Sequence, residues 1–141
     1  SLRFVRLTDI PMWLPPEIRD NPEARAIFEE AVINAEKAQQ RLAEVLQIDG
    51  RPFHEKKVLT SAMRRIAPDG VATTLIWTAN ARTLRWVIET RTTPGAEVEI
   101  RRVFGKVAEI MIREAPNLFG DFTATPLPDG TNQWQPAHSK V

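Results

Sequence analysis

With 141 residues, and 19 lysines and arginines set against 18 aspartates and glutamates, the chain is sized for one folding unit, and its charge balance excludes a nucleic-acid or membrane-surface footprint held by net charge. The absence of cysteine excludes disulfides, thiolate metal sites and thiol nucleophiles, and the two histidines, His54 and His138, stand in no ligand spacing, so no metal is expected. No apolar run approaches the roughly 20 residues of a membrane span and no signal peptide opens the chain, so the expectation is a cytoplasmic protein with neither nucleic acid nor membrane as partner.

The chain opens on Ser1-Leu2-Arg3-Phe4-Val5-Arg6-Leu7, an alternating run that reads as a strand already in progress. The prolines of Ile10–Pro16 rule out a helix or central strand there and leave a loop with Trp13 as its apolar anchor. Asn21-Pro22-Glu23 combines an N-cap, a proline at the first helical position and an early acid. The helix it starts places Ala24, Phe28, Ala31, Ala35, Ala38, Leu42 and Val45 on one face, expected to be buried, and ends at Asp49-Gly50. A second helix is expected from about Glu55 to Ile66, closed by Pro68-Asp69-Gly70. The β-branched and aromatic residues from Val71 to Ala79 predict a buried strand. Asn80 then caps a helix running to about Thr90, and Thr93-Pro94 opens a last long helix with an apolar stripe of Ile100, Val103, Phe104, Val107, Ile110 and Met111. Residues 1–126 form the expected domain, and 127–141 a loosely ordered tail. The fold class is α+β, helices packed on a small mixed or antiparallel sheet, with missing strands or another subunit needed to complete it.

The glycines stand singly, so neither a dinucleotide-binding fingerprint nor a P-loop can be assembled. A bound phosphate must then be held by arginines and a helix N-terminus, and Arg64, Arg82 and Arg91 each lie beside a turn or helix end. The plainer alternative stays open: arginine at a helix C-terminus complements the macrodipole, and Asn80 is accounted for as a cap. Trp77 and Trp86 read as core anchors or as stacking platforms, and the Lys56-Lys57 and Arg101-Arg102 pairs as solvated faces.

The stretch Met63-Arg64-Arg65-Ile66-Ala67-Pro68, then Trp77-Thr78-Ala79-Asn80-Ala81-Arg82-Thr83-Leu84, then Arg91, then Ala96-Glu97-Val98-Glu99-Ile100 resembles, in order, the C-terminal half of the flavin-dependent thymidylate synthase (ThyX) family. Ser1-Leu2-Arg3-Phe4 is similar to the end of that family's signature, in which an Arg-His-Arg triplet comes earlier. The resemblance implies an enzyme that methylates dUMP to dTMP with methylenetetrahydrofolate, using FAD and NADPH as reductant and no cysteine nucleophile. It implies a dUMP site of Ser1, Leu2, Arg3, Arg64 and Arg91, with Arg91 catalytic, and an FAD site of Asn80, Ala81, Arg82 and Trp86. A homo-oligomer, tetrameric in the family, is implied as well.

Gly95 stands where the family usually has histidine, and Trp86 where an asparagine or histidine is common. Since the signature triplet is missing upstream of Ser1, the chain reads as a fragment that begins inside the motif and is not expected to be a competent enzyme alone. The competing readings are a ThyX-like protein that has lost catalysis and keeps nucleotide binding or a structural role, and a helical interaction module whose arginines only decorate its surface.

Overall fold

The computed structural model describes residues 12–139, in two compact units that divide between Ile76 and Trp77. The strand expected over residues 1–7 lies outside the described residues. No described helix is long and apolar enough to cross a membrane.

In the first unit the proline-rich loop leads into a single helical turn, α1 (Pro16–Arg19), and then into α2 (Pro22–Val45). The α2 start is the one the sequence announces: the Asn21 side chain accepts the N–H groups of Glu23 and Ala24 at 3.1 and 3.2 Å, and Pro22 takes the first helical position. A 310 turn at Ile48–Gly50 reverses the chain into α3 (Phe53–Met63), which tightens into a second 310 turn at Arg64–Ile66. The buried Gln39 carboxamide donates to the Met63 carbonyl at 2.7 Å, satisfying one of the acceptors that the end of α3 leaves open. This polar contact joins the two helices beside Ile48 and Met63, the buried apolar residues of the unit.

One expectation holds in part and one fails in this unit. On the predicted face of α2, Ala24, Phe28, Ala35 and Leu42 are half-buried, joined by Val32 and the buried Gln39, whereas Ala31, Ala38 and Val45 are exposed. Residues 72–80 are in no regular structure, and the segment contributes one isolated antiparallel bridge, between Val71 and Met12, rather than a strand. Leu75 and Ile76 are 73% and 97% exposed, so their β-branched neighbours have nothing to pack on. Sheet propensity is largely packing against a neighbouring strand, and no described segment supplies one here.

The second unit holds the better-developed core. It consists of α4 (Ala81–Arg91), α5 (Val98–Glu114), the single turn α6 (Pro116–Phe119), and the antiparallel strands β1 (Phe122–Pro126) and β2 (Asn132–Pro136). Strand register pairs Phe122 with Pro136 and Ala124 with Trp134. Ile88 of α4, Ala108 of α5, Phe119 and Phe122 form the buried cluster, flanked by Leu84, Phe104, Met111 and Trp134. The Phe119 and Phe122 rings stack at 6.2 Å between centroids. Gly120 is obligatory at the turn between them, because a Cβ there would stand 2.6 Å from the Pro116 carbonyl oxygen.

The α+β class holds, with a two-stranded antiparallel sheet. Two boundaries move. Thr93-Pro94 makes a turn, closed by the Ala96 N–H donating to the Thr93 carbonyl at 3.0 Å, so the long helix starts at Val98. β2 occupies residues read from sequence as tail, where Gly130, at φ +79°, permits the reversal.

Candidate functional site

Most of the singled-out residues lie on α4. Asn80 caps it, its Oδ1 accepting the Thr83 N–H at 2.9 Å, and its NH2 group remains as a donor. Arg82 lies in the first turn, where no acidic residue accompanies it. A cation there opposes the helix macrodipole at a cost on the order of 0.3–1 kcal/mol. An anion in the same place meets free backbone N–H groups and a guanidinium together. Helix-terminal chemistry therefore accounts for Arg91, in the last turn of α4, and leaves Arg82 unexplained. Trp86 follows Arg82 by one turn on the same side of the helix and is 52% exposed, which removes the core-anchor reading and leaves an open indole face. Trp77, also partly exposed, meets Phe104 edge-on at 6.3 Å.

The structure thus groups Asn80, Ala81, Arg82 and Trp86 at the N-terminal half of α4. Arg91 stands apart from them: nine positions along an α-helix amount to about 14 Å and half a turn, so Arg82 and Arg91 project from opposite sides. Arg64 is exposed in the 310 turn of the first unit. Ser1, Leu2 and Arg3 lie outside the described residues.

Two arginines that sequence pattern did not single out as structural are the ones most engaged. Arg85 of α4 makes a two-point contact with the Asp121 carboxylate, Nη2 to Oδ2 at 2.7 Å, and its guanidinium lies 4.9 Å from the centroid of the Phe122 ring. Arg101 was expected on a solvated face and is 6% exposed: it pairs with Asp129, donates from Nε to Thr131 Oγ1 at 3.1 Å and from Nη1 to the Pro94 carbonyl at 2.8 Å, and also reaches the Ala96 carbonyl. By contrast Arg64, Arg82 and Arg91 make no ion pair with any described residue.

The family model described as "Thymidylate synthase complementing protein" matches residues 1–117. The chain belongs to this family. Among curated proteins it is 33% identical over 135 residues to a flavin-dependent thymidylate synthase of Mycolicibacterium gilvum, covering 93% of this chain and 54% of the relative. It is 35% identical over 125 residues to one of Clostridium tetani, covering 84% of this chain and 50% of the relative. The chain therefore spans about half the length of the curated relatives it matches.

The family match ends before β1, so Asp121 and Asp129, the carboxylates that hold Arg85 and Arg101, lie beyond it. Hydrogen bonding from Arg85 holds the Asp121 carboxyl down to about 2, and the Thr131 hydroxyl and N–H, with Arg101 behind them, hold Asp129 down to about 2. In the unfolded chain both return to the ordinary 3.8. Since the folded values are the lower ones, these groups stabilise the second unit above about pH 4 and stop doing so as pH falls towards 2. Urea midpoints of the protein should drop steeply across that window, and Asp121→Asn should flatten the drop while lowering the midpoint at pH 7. An unchanged slope in Asp121→Asn would remove Asp121 as its source.

A Cβ added at Gly95 meets nothing within 4 Å, so the backbone there stands clear of other described groups.

Proposed function

We propose that this chain serves in a flavin-dependent thymidylate synthase, contributing flavin contacts from the start of α4 and a uracil-nucleotide contact from Arg91. The observation that carries the reading is the cationic first turn of α4: Arg82 beside the Ala81 and Arg82 N–H groups that the Asn80 cap does not take, with no acid to neutralise it and an exposed indole one turn further on. A flavin cofactor's diphosphate suits that turn and its ring system suits the indole face, so FAD fits the residues present. Bound there, FAD supplies the reducing equivalents, with NADPH as their source and methylenetetrahydrofolate as the one-carbon donor. The chain's own part is to bind and orient. Arg91, which makes no ion pair with a described residue, stabilises negative charge developing at the uracil N3 of dUMP without reorganising. Arg64, with Ser1, Leu2 and Arg3, belongs to the same dUMP site in this reading.

A homo-oligomer is part of the proposal. Arg82 and Arg91 leave α4 on opposite sides, so one site containing both draws them from different copies. The exposed positions Ile27, Ala31, Ala38 and Val45 fall on one stripe of α2, with Ile27 and Val45 64% and 71% exposed, and such a stripe suits helix-to-helix association.

The test is purification of the protein at the full length of its gene, with its absorbance spectrum recorded and calorimetric titration of dUMP against uridine. Yellow flavin absorbance with saturable dUMP binding is expected. A colourless protein that binds neither nucleotide nor nucleoside would sink the reading, and a colourless one that binds dUMP would favour the alternative in which catalysis has been lost.

A further inference from the structure

Arg91 ends α4, and the turn that follows it has little packing of its own: Pro94 and Gly95 are exposed, and a side chain at Gly95 would touch nothing within 4 Å. Yet the turn is fixed at two points. Thr92, next to Arg91, is fully buried; its hydroxyl donates to the Ile88 carbonyl at 2.8 Å and accepts the Trp134 N–H of β2 at 2.9 Å. Further on, the carbonyls of Pro94 and Ala96 both point to Nη1 of Arg101, whose other nitrogens hold Thr131 and Asp129 in the turn between β1 and β2.

Burying a guanidinium is costly unless its charge and its donors are all met. Here one carboxylate meets the charge, and the remaining donors are spread over two segments distant in sequence, the turn after Arg91 and the hairpin turn. Lysine cannot reproduce this, since it offers one point charge where arginine offers a planar fork. We infer that Arg101 is a positioning residue for Arg91: by clamping the Pro94–Ala96 turn onto the β1–β2 turn it fixes the end of α4 from which the Arg91 guanidinium reaches the nucleotide. The inference rests on the nucleotide reading above. It adds that the hairpin beyond the family match acts on the dUMP contact through backbone carbonyls.

The test compares Arg101→Lys with Arg102→Gln, an exposed neighbour, in the full-length protein, reading thermal melting, flavin absorbance, amide exchange over residues 92–97 and dUMP affinity. Arg101→Lys is expected to stay folded and keep its flavin, to exchange the turn amides at least about tenfold faster, and to bind dUMP about ten- to a hundredfold more weakly, the scale set by a small misplacement of a binding group. Arg102→Gln should match the parent in every readout. If Arg101→Lys does not fold, Thr131→Val, which removes the Nε partner and the hydroxyl's bond to Asp129 but keeps the Arg101–Asp129 pair and both carbonyl contacts, should move exchange and affinity the same way by less. Unchanged exchange overturns the clamp, and faster exchange with unchanged dUMP affinity overturns its link to Arg91. A parent protein that binds no dUMP overturns the nucleotide reading, and this inference with it, a failure recognised because it appears before any substitution is made.

Discussion

Phe119→Ala is expected to unfold residues 77–139 at or near room temperature. Phe119 is fully buried at the centre of the cluster formed by Ile88, Ala108 and Phe122 and stacks on the Phe122 ring, so truncation removes transfer energy and leaves a cavity walled by α4, α5 and the hairpin. Such losses run to about 3–5 kcal/mol. Relaxation cannot refill the space cheaply, because Gly120 is already in tight contact with the Pro116 carbonyl and fixes the α6 turn. A unit of this size is marginal by surface-to-volume scaling, and about 3 kcal/mol is a large part of the stability it can hold. Thermal melting followed by near-ultraviolet dichroism should show the cooperative transition lost or lowered by more than about 10 °C, at the several degrees per kcal/mol usual for domains this small. A melt within a few degrees of the parent would mean that the cluster is not the unit's core.

What could be read from the sequence was chemistry confined to a few neighbouring residues. Asn21-Pro22-Glu23 and Asn80 fix helix starts because cap and first turn are in contact with themselves, and the structure reproduces both. Val71–Ala79 was misread because a strand is a relation between two segments, and its composition could not say whether a partner was within the chain. The start of α5 was misread because the Thr93-Pro94-Gly95 turn is held by the Arg101 side chain five to seven residues on, and the burial of Arg101 depends on Thr131 and Asp129, which no local pattern carries. β2 did leave a signal: Asp129-Gly130 between two short runs is a hairpin dipeptide, outweighed in the reading by the prolines around it.

The candidate site divides along the same line. The identity of α4 and the placement of Asn80, Arg82 and Arg91 at its ends were legible, because end positions follow from caps. The half-turn between Arg82 and Arg91 was equally available from helical periodicity, and it argues against gathering all the singled-out arginines around one ligand within a single copy. Arg85 and Arg101 were not legible. A buried arginine and a solvated one are the same letter, and only the carboxylates of Asp121 and Asp129, brought in by the hairpin, separate them.

Arg91→Ala should separate binding from folding more cleanly than any other change. Arg91 is exposed, makes no ion pair with a described residue, and contributes to stability only through its place at the C-terminal end of α4, worth about 0.3–1 kcal/mol. The melting temperature should therefore move by a few degrees at most. In the proposed dUMP site the same truncation removes a charged contact in a water-poor environment, which costs about 2–5 kcal/mol, and calorimetry should read a loss of affinity on the order of a hundredfold or more. Arg91→Lys should recover only part of it, since the charge returns without the two-point fork. A fixed cation beside uracil N3 favours the anion, so the ionisation of bound dUMP, followed by ultraviolet difference spectra, should occur at lower pH than in free dUMP and move back upward in Arg91→Ala. Unchanged dUMP affinity in a folded Arg91→Ala protein would remove Arg91 from the site, and with it the link between the C-terminal end of α4 and the nucleotide.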